Sequence, residues 1–175
     1  MSVVIDDSAN IILIGMPGVG KSTVGVLLAK ALRRGFVDSD LLIQAGEDRG
    51  LQEIIDRNGN DAFCRLEEQY LLCLDVRRHV IATGGSAVYS EPAMRALKAS
   101  GPVVHLSLPL ERLLERLENL ATRGVVIDPN QGLGELYRRR MPLYARWADV
   151  TVECDGRNQD QVTTEIINGL QKLTG

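Results

Sequence analysis

Gly15, Gly20, Lys21 and Ser22 stand in the order Gly-x-x-x-x-Gly-Lys-Ser, the spacing of a phosphate-binding loop. Such a loop turns its backbone N–H groups inward on an anion, and Gly15, Gly18 and Gly20 keep side chains out of the way. Lys21 is placed to reach the terminal phosphates of a nucleotide, and the Ser22 hydroxyl to bind Mg²⁺. Val19 and Thr23 complete the stretch as nucleotide-binding candidates.

Other chemistry lies downstream. Asp38 can enter the shell of a hard cation, directly or through water. Asp40 can accept a hydrogen bond from a substrate hydroxyl or take its proton. The competing reading of both aspartates is a helix cap. Gly84 and Gly85 offer a bare backbone that a small ligand can approach, or else make a tight turn. Arginine candidates are Arg65, Arg116, Arg123 and Arg138 to Arg140. Arg123 stands out because the residues around it, about 118–132, hold few core anchors and read as a lid. An arginine closing over a transferring phosphoryl group stabilises its charge and excludes water.

These residues need a frame. Ile11–Ile14 reads as a buried strand, followed by a helix over about 22–33 that Gly35 ends. Phe36-Val37 makes a second strand, stopping at Asp38, and residues 40–47 a helix with Asp40 as its cap. Helical patterns follow at 51–57 and about 61–76. Strands at 79–82, 103–108 and 150–153 alternate with helices at 91–100, 109–119, 133–147 and 161–173. Alternation of this kind predicts an α/β domain: a parallel sheet with helices on both faces. Ligands then bind at the carboxyl ends of the strands, where the phosphate loop, Asp38–Asp40 and Gly84-Gly85 all fall.

Bulk properties exclude several classes. The 175 residues are 45% apolar and 25% charged, which suits one globular domain. A net charge of -3 and 4% aromatics argue against a general affinity for nucleic acid or anionic membrane. Cys64, Cys73 and Cys154 show no metal-site or disulfide spacing, and His79 and His105 read as ordinary packing or surface residues. No apolar run is long enough to span a membrane, and Met1 to Asn10 carries no signal pattern, so the expectation is a cytoplasmic monomer.

The ordered set goes further. Gly15-x₄-Gly20-Lys21-Ser22-Thr23, Phe36-Val37-Asp38-Ser39-Asp40, Phe63-x-Arg65-x-Glu67, Gly84-Gly85, Arg116-x₆-Arg123 and Arg139-Arg140-x-Pro142-Leu143-Tyr144 together resemble the shikimate kinase family, from about residue 10 to 170. The resemblance implies a three-layer P-loop kinase fold: a five-stranded parallel sheet, an acceptor-binding helical region near 40–68 and a lid near 118–132. It implies ATP and Mg²⁺, and transfer of the γ-phosphoryl group to a hydroxyl of a small cyclic acid, with shikimate leading, in aromatic amino acid biosynthesis. Carried over by position, Lys21 serves the phosphates, Ser22 and Asp38 the metal, and Asp40 the acceptor hydroxyls. Arg116 stacks on adenine, Arg157 falls in the adenine loop, Arg123 is the lid arginine and Arg140 binds the acceptor carboxylate. Arg65 is kept as a further acceptor-side candidate. Three positions depart from the pattern: Cys64 stands where the family has arginine, Ser86 where it has a third glycine, and Gly124 where it has proline. All three touch the acceptor side, so weak shikimate binding or another acceptor is expected. The alternatives are a kinase for a different hydroxy acid or polyol, and a nucleotide-binding regulatory module.

Overall fold

A computed structural model of the chain describes residues 7–118 and 132–173. Ile11–Ile14 forms β1, and none of its four residues has any exposed surface. Successive strand side chains point to opposite faces, so burial of all four requires cover on both. β1 is the centre of a five-stranded parallel sheet in the order β2 (Gly35–Asp38), β3 (His79–Ala82), β1, β4 (Val103–Ser107), β5 (Val150–Glu153). Ile12 pairs with Ile81 on one side and Val103 on the other. Parallel strands need crossovers, and eight helices among the described residues surround the sheet. They are α1 (Lys21–Leu32), α2 (Ser39–Glu47), α3 (Leu51–Asn58), α4 (Asn60–Leu72), α5 (Glu91–Ser100), α6 (Leu110–Glu118), α7 (Leu133–Trp147) and α8 (Gln159–Leu173).

This order lays β2 and β3 on one side of β1, and β4 and β5 on the other, which opens a crevice at the carboxyl end of β1. The main core fills the sheet faces. A small satellite core of Ile43, Ile54 and Phe63 holds α2, α3 and α4 together beside that crevice.

Several expected boundaries move, each for a local reason. Helix α1 ends at Leu32, capped by Arg33, which takes the left-handed conformation itself (φ 54°), not by Gly35. Gly35 opens β2, where a Cβ would stand 2.2 Å from the His79 ring. The cap of α2 is Asp38, not Asp40: Asp38 Oδ1 accepts the N–H groups of Asp40 at 3.0 Å and Leu41 at 3.4 Å. Helix α4 stops at Leu72, short of Val76. Pro142 sits inside α7 without ending it. The expected lid, with Arg123 and Gly124, lies almost wholly outside the described residues.

Candidate active site

A cavity of about 1070 Å³ opens where β1, β2 and β3 end. Gly18, Gly20, Lys21, Ser22, Thr23 and Arg116 line it from the phosphate-loop side. Asp40, Cys64, Gly84, Gly85, Ser86 and Arg140 line it from the other elements. A smaller recess of about 180 Å³ brings Val19, Arg116 and Arg157 together against α8. The remaining sequence candidates are elsewhere. Asp38 is committed to the α2 cap, and Arg65 is exposed on α4 and does not line the cavity.

The loop geometry follows from its glycines. Gly15 has φ 149°, and a Cβ there would meet the Leu106 carbonyl oxygen at 2.6 Å, so no other residue fits without displacing β4. Lys21 is buried, and its Nζ donates to the carbonyls of Gly15 at 2.8 Å and Met16 at 3.0 Å. Burial pulls its ammonium down to about 8, with the charge of Asp40 acting in the opposite direction. Arg116 ties α6 to the back of the loop by donating to the carbonyls of Val19 at 3.0 Å and Gly18 at 3.4 Å. The start of α1 adds its own exposed N–H groups, so this end of the cavity is built for a polyphosphate.

The opposite wall is built for something else. Because Asp38 does the capping, the carboxyl of Asp40 is left to face the cavity. Burial raises it and Lys21 opposes that rise. Gly84 is fixed beside it: its N–H donates to the buried Ser39 Oγ at 2.9 Å. A Cβ on Gly84 would stand 2.1 Å from Glu67 Oε1 and 2.8 Å from Asp40 Oδ1. Gly84→Ala must therefore push one carboxyl or both aside. We expect it to lower kcat/KM for the acceptor by about 100-fold, the scale of an ångström-level misplacement. Steady-state kinetics on a variant with unchanged circular dichroism checks this, and unaltered kinetics would refute the placement.

Arg140 is buried at this wall, where its Nε donates to the Tyr89 hydroxyl at 3.2 Å and its guanidinium lies 5.2 Å from the centre of the Tyr89 ring. Tyr144, one turn on, is fully buried; its hydroxyl donates to the Gly85 carbonyl at 2.9 Å and its ring stacks on His105. A desolvated guanidinium with a planar fork suits a carboxylate. One end of the cavity thus reads phosphate. The other offers a carboxyl base and a cation, which can orient a hydroxyl and hold an anionic acceptor.

Sequence reasoning passed over several of these groups. Glu67 is 1% exposed and accepts from Ser86 Oγ at 2.5 Å. Burial pushes its carboxyl up to about 7, against the Ser86 bond. Its signal was there: it lies one helical turn from Phe63, on the face of α4 turned inward. Ser39 and Tyr144 stand in the family-like motifs without an assigned role, and Tyr89 carried no signal that distinguished it from a packing residue.

The model of the shikimate kinase family matches residues 17–171. Among curated proteins, the shikimate kinase of Thermodesulfovibrio yellowstonii is 35% identical, covering 94% of this chain and 96% of its own length. That of Pseudomonas syringae pv. tomato is 39% identical, covering 94% of this chain and 97% of its own. A solved structure of shikimate kinase from Acinetobacter baumannii in complex with shikimate superposes with a TM-score of 0.87 at 32% identity, covering 95% of this chain and 94% of the other. Fold, loop and full-length similarity converge, and the chain belongs to the shikimate kinase family.

Proposed function

We propose that this protein transfers the γ-phosphoryl group of ATP to a hydroxyl of shikimate, acting as a cytoplasmic monomer. The observation that carries the proposal is the convergence of Lys21, Asp40 and Arg140 on one cavity from three different elements. Lys21 and the loop amides hold the polyphosphate and stabilise charge on the moving group. Asp40 orients the acceptor hydroxyl and takes its proton as the phosphorus–oxygen bond forms. Arg140 holds the acceptor carboxylate, and Arg123 belongs to the proposal as a lid arginine.

The donor set fits magnesium. Ser22 presents a hydroxyl to the cavity, and Asp38, whose Oδ1 caps α2, would join a cation shell only through water. No group of three His, Cys, Asp or Glu able to hold a metal occurs among the described residues, so nucleotide phosphates and water would have to complete the shell. Mg²⁺ held there would neutralise charge on the nucleotide's terminal phosphates.

Turnover of ATP against a panel of hydroxy acids and polyols tests the reading. Shikimate should give the highest kcat/KM. ATP hydrolysis indifferent to every acceptor would instead indicate a nucleotide-binding regulatory module.

One observation favours a second acceptor. Cys64, a neutral thiol, lines the wall on which Arg140 is the buried cation. A hydrogen bond to a charged group is worth about 1.5–3 kcal/mol. Cys64→Arg should accordingly lower the shikimate KM by about tenfold or more. Tight shikimate binding in the unaltered protein, unimproved by the substitution, would show that Cys64 costs the site nothing.

A further inference from the structure

Two buried side-chain polar atoms lack a hydrogen-bond partner among the described residues, Glu67 Oε1 and His105 Nε2. Glu67 is the one at the acceptor wall, where its Oε1, with Asp40 Oδ1, stands in the space that a Cβ on Gly84 would take. Its other oxygen accepts the Ser86 hydroxyl. Ser86 lines the cavity, and the Arg140 guanidinium packs against Gly85, the residue before it, with Nη1 2.6 Å from the position of a Cβ there. The charged and titratable groups facing Glu67 are Asp40 from α2, Lys21 from α1, Arg140 and Tyr144 from α7, and Cys64 from its own helix.

A serine hydroxyl has one proton to give and two lone pairs. While Glu67 is ionised, that proton is committed to Oε2, and Ser86 shows the cavity only lone pairs. A protonated Glu67 reverses the bond. The carboxylic acid then donates to Ser86 Oγ, with its proton drawn from solvent, and the serine proton turns toward the cavity. We propose that Ser86 is an acceptor-binding residue whose hydroxyl donates to the acceptor's carboxylate beside Arg140, and that Glu67 is the positioning residue which, by its protonation, sets the direction of that donor. The proposal rests on the reading of this wall as a carboxylate site. Burial places the Glu67 carboxyl near 7, so the switch lies in the ordinary working range.

The sign is fixed. The acceptor carboxylate stays ionised across this range. As pH rises through about 7, Glu67 loses its proton, the donor is withdrawn and a negative charge appears close by. Both changes weaken binding, so KM for shikimate rises with pH. The other groups differ in direction or consequence. Deprotonation of Asp40 raises kcat, and discharge of Lys21 acts on ATP, which is kept saturating.

The experiment measures kcat and the KM for shikimate from pH 6 to 8.5, with the Kd for shikimate alone by calorimetry as a check independent of chemistry. The unaltered protein should show KM rising about tenfold, on the scale of one charge-assisted hydrogen bond. Glu67→Gln, neutral at every pH and nearly isosteric, should flatten the KM profile. Ser86→Ala should raise KM at pH 6 toward the value the unaltered protein has at pH 8.5, with little change at pH 8.5. A KM profile that Glu67→Gln leaves as steep as before, or a Ser86→Ala effect equal at both ends, overturns the proposal. Failure to phosphorylate or bind shikimate at any pH would overturn the underlying acceptor reading instead, and the two failures are distinguishable.

Discussion

Lys21→Ala should lower kcat by about 100-fold or more while leaving the protein folded, on the scale of removing one preorganised charge donor. The loss should fall on nucleotide binding and chemistry, not on folding, because the bonds of Nζ go to the backbone carbonyls of Gly15 and Met16 within the loop. Circular dichroism and thermal unfolding should therefore stay close to the parent. A second readout is pH. Burial pulls the ammonium down to about 8, so it discharges as pH passes that value, and ATP affinity should fall there. Lys21→Ala should lack this fall. Near-normal turnover in the variant would contradict the assignment of the loop to catalysis.

Asp40→Asn should cost about 10² to 10⁴ in kcat, the usual contribution of a positioned proton acceptor. The amide keeps the size of the side chain and can still accept a hydrogen bond from a hydroxyl, so KM for the acceptor should change far less than kcat. The carboxyl is raised by burial, so activity in the parent should climb with pH as Asp40 ionises, and the variant should not follow. A variant that kept its kcat and lost only affinity would make Asp40 a binding group and place the base elsewhere.

Much of this site was legible in the sequence, because its chemistry is local. Four aliphatic residues, a glycine-spaced turn and a helix in direct succession can make little else, and β1 and the loop fall where that pattern predicts. Glu91–Ser100, with its Ser90 cap and early proline, is equally local and equally predictable. What the sequence left ambiguous depends on long-range choices. Asp38 and Asp40 are both plausible caps, and only the register of β2 on β3, with Asp38 opposite Ala82, decides which one caps and which faces the cavity. Gly35 carries a helix-stop signal, yet the close approach of His79 uses it for a strand. Arg65 and Cys64 are neighbours on α4, and residues one apart on a helix point about 100° apart. The thiol turns to the cavity and the guanidinium to solvent. Glu67 stands in the Phe63-x-Arg65-x-Glu67 pattern, but its partner Ser86 comes 19 positions later, so only the fold shows what it holds.

The most direct test of the central claim is to incubate the protein with ATP, Mg²⁺ and shikimate and follow ADP and phosphorylated acceptor together. The two should appear in equal amounts, both should require shikimate, and both should form about 100-fold or more slowly with Lys21→Ala or Asp40→Asn. ADP formed at the same rate without shikimate, or with no phosphorylated acceptor, would contradict it.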